Sequence, residues 1–173
     1  MNIVFLDRLT IGNVNDQIIN DLGNYTSYDT TNESQIIERC FEADIVITNK
    51  VPFNKDTLSK LPRLKMISIA ATGMNKVDLD EANRIGVVVK NVKNYSTEAV
   101  VQLTFTIAFN FLTSINYYQE YTINGKWSKS PTFNHIGKDF KDLRNLTWGV
   151  IGLGQIGSKV TSIAKAFGAN VIY

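Results

Sequence analysis

An α/β fold is predicted for this chain, a parallel sheet covered by helices and followed by the start of a second strand–helix–strand unit. Three observations predict it. Short apolar runs alternate with helical patterns up to about residue 92, the spacers are long enough for crossover connections, and a glycine-punctuated strand–turn–helix lies at residues 147–168.

Residues 3–6, 25–28, 44–48, 66–70 and 87–89 read as strands, several of them the near-continuous apolar runs of strands buried on both faces. Helical patterns near 16–22, 33–41, 55–60 and 79–85 separate them. The helix over 79–85 is the best punctuated: Asp78 is placed as N-cap, Glu81 as its capping partner three residues on, and Gly86 as the stop. Ser96 is placed as N-cap of a longer helix, 97–117, with Glu98 near the positive end of its dipole. Val100, Val101, Leu103, Phe105, Ile107, Phe109, Phe111, Leu112 and Ile115 make that helix apolar on nearly all sides. It is therefore expected to be covered all round, by crossing between domains or packing against a second subunit. Residues 122–138 read as irregular surface structure. The expected organisation is a first domain over 1–96, a connecting helix over 97–121, and the start of a second domain over 122–173.

Composition excludes several classes. With 44% hydrophobic and 20% charged residues among 173, the chain is ordinary globular material. Eighteen basic residues against sixteen acidic ones, a net charge of +2, argue against nucleic acid as a partner. The longest apolar region, 100–112, contains Gln102, Thr104, Thr106 and Asn110, which makes it too polar and too short for a membrane span. The first residues form a strand pattern with no basic n-region, so no signal peptide is expected. Cys40 is the only cysteine, hence no intrachain disulfide forms, and a buried free thiol fits a reducing compartment, the cytoplasm. No metal site is expected.

From Trp148 to Gly157 the chain reads Trp-Gly-Val-Ile-Gly-Leu-Gly-Gln-Ile-Gly, a G-x-G-x-x-G between a strand pattern at 147–151 and a helical one at 155–167. Gly152 makes the tight turn out of the strand, Gly154 removes a side chain so that backbone amides approach a pyrophosphate, and Gly157 lets the helix pack close. The helix N-terminus supplies free N–H groups and the positive end of a dipole. Ile156, Val160, Ile163, Ala164 and Phe167 form its apolar face, and Gly168 is placed as its C-cap. Gly152, Leu153, Gly154, Gln155, Ile156 and Gly157 are thus the candidate dinucleotide-binding set. A Rossmann unit needs a second strand carrying an acidic residue about 20 positions on. Tyr173 falls within that strand, so the chain is expected to be the front part of a larger protein.

Four segments, in order, carry a resemblance: Thr48-Asn49-Lys50-Val51-Pro52, Ala70-Ala71-Thr72-Gly73-Met74-Asn75-Lys76-Val77-Asp78, the stretch from Asn91 through Tyr95-Ser96-Thr97-Glu98 to Thr104, and Gly149 to Gly157. They resemble the D-isomer-specific 2-hydroxyacid dehydrogenases, in the glycerate dehydrogenase (hydroxypyruvate reductase)-like branch. The resemblance implies a flavodoxin-like substrate domain, a long connecting helix and a Rossmann domain. It implies hydride transfer between NAD or NADP and the C2 of a small 2-oxo or 2-hydroxy acid, in a homodimer formed through the helix 97–117 region. The Arg, the acidic residue and the His of that reaction lie in the second half of such proteins, so no catalytic residue is expected here. His135, the only histidine, is expected in a surface loop.

Site residues follow from the resemblance position by position. Thr72 and Gly73 match a turn whose amides meet the substrate carboxylate, with a purely conformational glycine as the other reading. Tyr95 matches a position close to substrate in some relatives, or serves as a core or interface tyrosine. Lys50 stands at the rim of the cleft drawing in acidic substrates, or is simply solvated. Thr104 faces the cofactor, or bonds back to a helix carbonyl. Three residues depart from the family pattern: Asn145 where glycine is usual, Val101 for alanine, and Trp148 for an aliphatic residue. Asn tolerates a left-handed backbone, so the turn at Asn145 is expected to survive. Two alternatives stand beside the enzyme: a non-catalytic nucleotide-sensing or regulatory protein on the same scaffold, and an inactive shortened chain.

Overall fold

Five short strands, β1 (Asn2–Phe5), β2 (Asn24–Ser27), β3 (Ile45–Thr48), β4 (Met66–Ile69) and β5 (Val88–Asn91), pair in parallel in the order β2-β1-β3-β4-β5. This is the flavodoxin-like strand order. The computed structural model describes residues 1–173, which divide into two units, Met1–Lys93 and Asn94–Tyr173. All five sequence-predicted strands of the first unit form. Register is tied through the middle of the sheet, Ile3 opposite Ile45 and Val46 opposite Ile67. Between the strands run α1 (Gln17–Asn20), α2 (Ile36–Cys40), α3 (Lys55–Ser59) and α4 (Leu79–Arg84). Leu6, Ile36, Cys40, Val46, Phe53, Leu58 and Ile67 are essentially sealed from solvent and form the centre of one continuous core.

The ends of α4 show how local chemistry sets the boundaries. The Asp78 carboxylate accepts from the Glu81 amide at 3.0 Å, as an N-cap does. The expected return bond from the Glu81 side chain is absent. The Asp78 amide already donates to the Phe53 carbonyl, and the buried Glu81 carboxylate instead takes a bidentate pair of bonds from Arg84 at 2.6 and 2.9 Å. At the other end Gly86, at φ +79°, closes the helix with its amide on Asn83 and the Val87 amide on Ala82.

The second unit holds α5 (Thr97–Thr113), α6 (Ile115–Ile123), β6 (Thr147–Gly149), α7 (Gln155–Ala166) and β7 (Asn170–Ile172). β6 and β7 pair in parallel, and α5 packs on α7 around Val101, Phe105, Leu143, Val160, Ala164 and Ala169. Trp148 stacks on Phe105 with ring centroids 5.0 Å apart, and Phe109 meets Phe167 edge-on at 4.9 Å. Asn145 adopts φ +65°, so the turn survives its departure from glycine.

Two expectations for this unit are corrected. The helix predicted over 97–117 is two helices bent by 66° at Ser114, which sits in the left-handed region at φ 51° and ψ 36°. The carbonyl of Leu112, which a continuing helix would offer to residue 116, accepts the Lys141 amide instead at 2.8 Å. Ser96 makes no side-chain cap; its backbone is helical (φ −100°, ψ −4°) rather than extended. Within this chain taken alone, Val100, Leu103, Ile107 and Phe111 of α5 are exposed. No single helix is long and apolar enough to cross a membrane.

Candidate functional site

Within the second unit, the glycine turn has three glycines with three different physical reasons. Gly152 holds φ +91°, a conformation that side chains disfavour. A Cβ on Gly157 would lie 2.0 Å from the Gly152 carbonyl oxygen, so the close approach of α7 to the turn admits only glycine. Gly154 is different. Its φ is −70° and a Cβ there would meet nothing within 4 Å, so neither strain nor packing explains it. It is the N-cap of α7 and has no side chain to cap with, which leaves the first amides, those of Gln155, Ile156 and Gly157, without intrahelical acceptors. The turn is solvent-facing: Gly152, Leu153, Gly154, Gln155 and Ile156 are all exposed. Exposed amides, the positive end of a twelve-residue helix and open space at Gly154 fit an incoming pyrophosphate. Thr104 donates to the Val100 carbonyl at 2.8 Å, the back-bonded arrangement, and keeps only acceptor capacity for a ligand. Tyr95 is exposed in this chain and its hydroxyl has no protein partner.

In the first unit the site residues lie at the carboxyl edge of the sheet, the side on which ligands bind in such folds. Thr72 and Gly73 follow β4 and are exposed. The Thr72 hydroxyl donates to the Val92 carbonyl at 3.1 Å while Asn91 donates to the Thr72 carbonyl at 2.6 Å, which ties the turn to the end of β5. Gly73 does not have a positive φ, so its backbone does not demand glycine. Lys50, after β3, is exposed and forms no ion pair. One group here escaped the sequence reading. Asp7 is 4% exposed, and its carboxylate accepts from the amides of Asn49 and Lys50 and from the Thr48 hydroxyl. An Asp directly after an apolar strand was the available signal, but nothing local shows a bond reaching more than forty residues along the chain.

His135 lies in an irregular segment between exposed residues, as expected, but is itself half-buried. Its ring stacks on Tyr121 at 3.6 Å and exchanges a 2.8 Å hydrogen bond with the Tyr117 hydroxyl. The spacing of Tyr117 and Tyr121, one helical turn apart, was a readable sign of that cluster. It anchors the loop to α6, and no acid pairs with the imidazole.

A five-stranded parallel sheet in flavodoxin-like order, with polar groups at its carboxyl edge, and a strand–glycine turn–helix in the second unit define a two-unit α/β protein. The D-isomer specific 2-hydroxyacid dehydrogenase catalytic-domain family matches residues 3–168, and the chain belongs to that family. A Haemophilus influenzae protein whose name places it among the 2-hydroxyacid dehydrogenases is 40% identical over 149 residues, 86% of this chain and 47% of that one. The glycerate dehydrogenase of Methylorubrum extorquens is 34% identical over 174 residues, 98% of this chain and 54% of its own. Among solved structures, D-lactate dehydrogenase from Aquifex aeolicus, complexed with NAD and lactic acid, superposes with a TM-score of 0.75 at 25% identity, over 98% of this chain and 50% of that one. The chain spans about half the length of the curated relatives it matches.

Proposed function

We propose that this chain is the N-terminal portion of an NAD- or NADP-dependent D-2-hydroxyacid dehydrogenase acting on a small 2-oxo or 2-hydroxy acid of the hydroxypyruvate/glycerate type. The observation that carries the reading is Gly154: a glycine that neither backbone strain nor packing requires, placed where a pyrophosphate would need the room, in a chain whose residues 3–168 match the family. The amides of Gln155 and Ile156, with the turn from Gly152 through Leu153 to Gly157, hold the pyrophosphate, and the Thr104 oxygen accepts from the cofactor. A bound nicotinamide supplies or accepts the hydride. The Thr72–Gly73 turn presents amides to the substrate carboxylate, Lys50 adds a positive charge at the same edge, and the free Tyr95 hydroxyl is a further donor. The Arg, acid and His that polarise the carbonyl and move the proton belong to the part of the protein beyond Tyr173.

The exposed row Val100, Leu103, Ile107 and Phe111 on α5 supports a homodimer formed through the helix 97–117 region. The buried, unpaired Cys40 fits a cytoplasmic protein. The test is NADH oxidation by the full-length gene product with hydroxypyruvate, glyoxylate and pyruvate, beside NADH binding to the 173-residue chain. Turnover by the full-length product, and binding without turnover by the chain, are expected. Binding without turnover in both would replace the enzyme by a nucleotide-sensing protein. Absence of NADH binding in both would sink the two readings together.

A further inference from the structure

In the order β2-β1-β3-β4-β5, the strand sequence reverses between β1 and β3, and the carboxyl ends of those two strands flank the place where folds of this type bind ligands. Asp7 sits just past the end of β1, and its acceptors bridge to the end of β3. The Asn49 amide donates to Oδ1 at 2.9 Å, the Lys50 amide to Oδ2 at 2.6 Å, and the Thr48 hydroxyl to Oδ2 at 3.3 Å. The Thr48 oxygen in turn accepts the Val51 amide at 3.1 Å. No Lys or Arg pairs with this buried carboxylate. A charge without a counter-ion is costly to bury unless hydrogen bonds compensate it, and here the backbone of one turn supplies most of them.

Two consequences follow. Asp7 immediately precedes the 3-10 turn Arg8–Ile11 and would ordinarily cap it, yet it makes no side-chain cap there. Its carboxylate is committed to the turn 48–50. Successive amides in such a turn form a nest for anions, and the chain's own anion fills this one, so a substrate carboxylate arriving at the edge cannot use the Asn49 and Lys50 amides. What the turn still offers is the Lys50 ammonium, exposed and unpaired.

We propose that Asp7 is a positioning residue for substrate binding: its buried carboxylate locks the turn 48–50 and thereby sets Lys50 as the fixed cation that recognises a 2-oxo acid carboxylate. The proposal rests on the reading of this sheet edge as the substrate side. It differs from a merely structural role because Asp7 acts through one named side chain.

Amide NMR spectra of the 173-residue chain, titrated with hydroxypyruvate, test it. Shifts at Lys50, Thr72 and Gly73 are expected in the unsubstituted chain. Asp7→Asn and Lys50→Met should each weaken binding about tenfold, the equivalent of one charge-assisted contact, while Lys50→Arg stays within about threefold. The double variant Asp7→Asn/Lys50→Met should bind no more weakly than either single one. Thr48→Val, which removes one bond to Asp7 from the other side, should weaken binding about threefold and serves if Asp7→Asn does not fold. Effects that multiply in the double variant, or binding by Asp7→Asn or Thr48→Val equal to that of the unsubstituted chain, overturn the positioning role and leave the substrate edge standing. If hydroxypyruvate shifts nothing at this edge, the substrate reading falls and Asp7 falls with it.

Discussion

The two units of this chain bury apolar surface very differently. Met1–Lys93 encloses a continuous core of seventeen buried residues behind a five-stranded sheet, whereas Asn94–Tyr173 encloses six around a two-stranded one. The second unit compensates partly through rings, with Phe105 meeting Phe109, Trp148 and Phe167, and Phe109 meeting Phe167, yet it leaves Phe111, Phe133, Ile136 and Ile151 largely exposed. Stability scales with apolar area removed from water, so the difference teaches that a glycine turn and its helix can be fully formed in a unit that is itself weakly held.

The largest expected effect is a separation of the two unfolding transitions, and the sequence supplies a private probe for each. Both tryptophans, Trp127 and Trp148, lie in the second unit, and the only cysteine, Cys40, lies in the first. Cys40 is sealed, and burial pushes its thiol up to about 12, so it stays unreactive until the first unit opens. Tryptophan fluorescence is expected to change at lower urea concentration than the onset of thiol labelling. Coincident curves would mean that the chain unfolds as one cooperative body and would break the comparison.

Core truncations sharpen the same contrast. Phe53 is wholly enclosed, and Phe53→Ala should cost about 3–5 kcal/mol, read in the thiol-labelling transition. Phe105 is 6% exposed and borders an open groove, where neighbours can relax, so Phe105→Ala should cost about 2–3 kcal/mol in the fluorescence transition. An equal or larger loss at Phe105 would show that the ring cluster carries more of the second unit than its area implies.

How much of this was legible in the sequence depended on the range of the interaction involved. The five strands could be read because the order of apolar runs and spacers is itself local information, and Gly86 and Gly168 marked helix ends because one residue type tolerates their backbone. The glycine turn was readable for the same reason. The break at Ser114 was not: a left-handed serine has no compositional mark, and the competing bond from Lys141 to Leu112 comes from far along the chain. Glu81 was assigned a capping bond because the pattern was right, while the amide it needed was already taken by Phe53 from another segment. The Asp7 site failed on the same ground, being made wholly of contacts across strands.

Within the second unit, two glycines separate stability from ligand binding. Gly157→Ala would drive a Cβ into the Gly152 carbonyl and should destabilise the unit by about 1–3 kcal/mol through forced backbone movement. Gly154→Ala meets open space and should change stability by no more than about 1 kcal/mol. The predicted loss at Gly154 is in NADH binding instead, measured by quenching of Trp148 and Trp127 fluorescence. Normal NADH binding by Gly154→Ala would detach that glycine from the pyrophosphate and remove the observation on which the functional reading leans.

The smallest expected effect concerns acid, and it acts on the stronger unit. Asp44 accepts from the Asn2 amide at 2.8 Å and from Lys65 at 2.9 Å, and these donors, the amide first, hold its carboxyl down at about 2. A carboxyl depressed in the folded state contributes stability at pH values above its ordinary value of about 4, and that contribution fades as pH falls from there towards about 2. The Lys65 side chain is well exposed, so solvent screening keeps its share small and leaves the backbone donor as the main cause. Urea midpoints from far-UV circular dichroism should therefore decline between pH 4.5 and pH 2.5 more steeply in the unsubstituted chain than in Asp44→Asn, which loses the titrating group but keeps an acceptor for Asn2. Parallel slopes in the two proteins would show that acid weakens the first unit through its other carboxylates and not through the link between the start of β1 and the segment leading into β3.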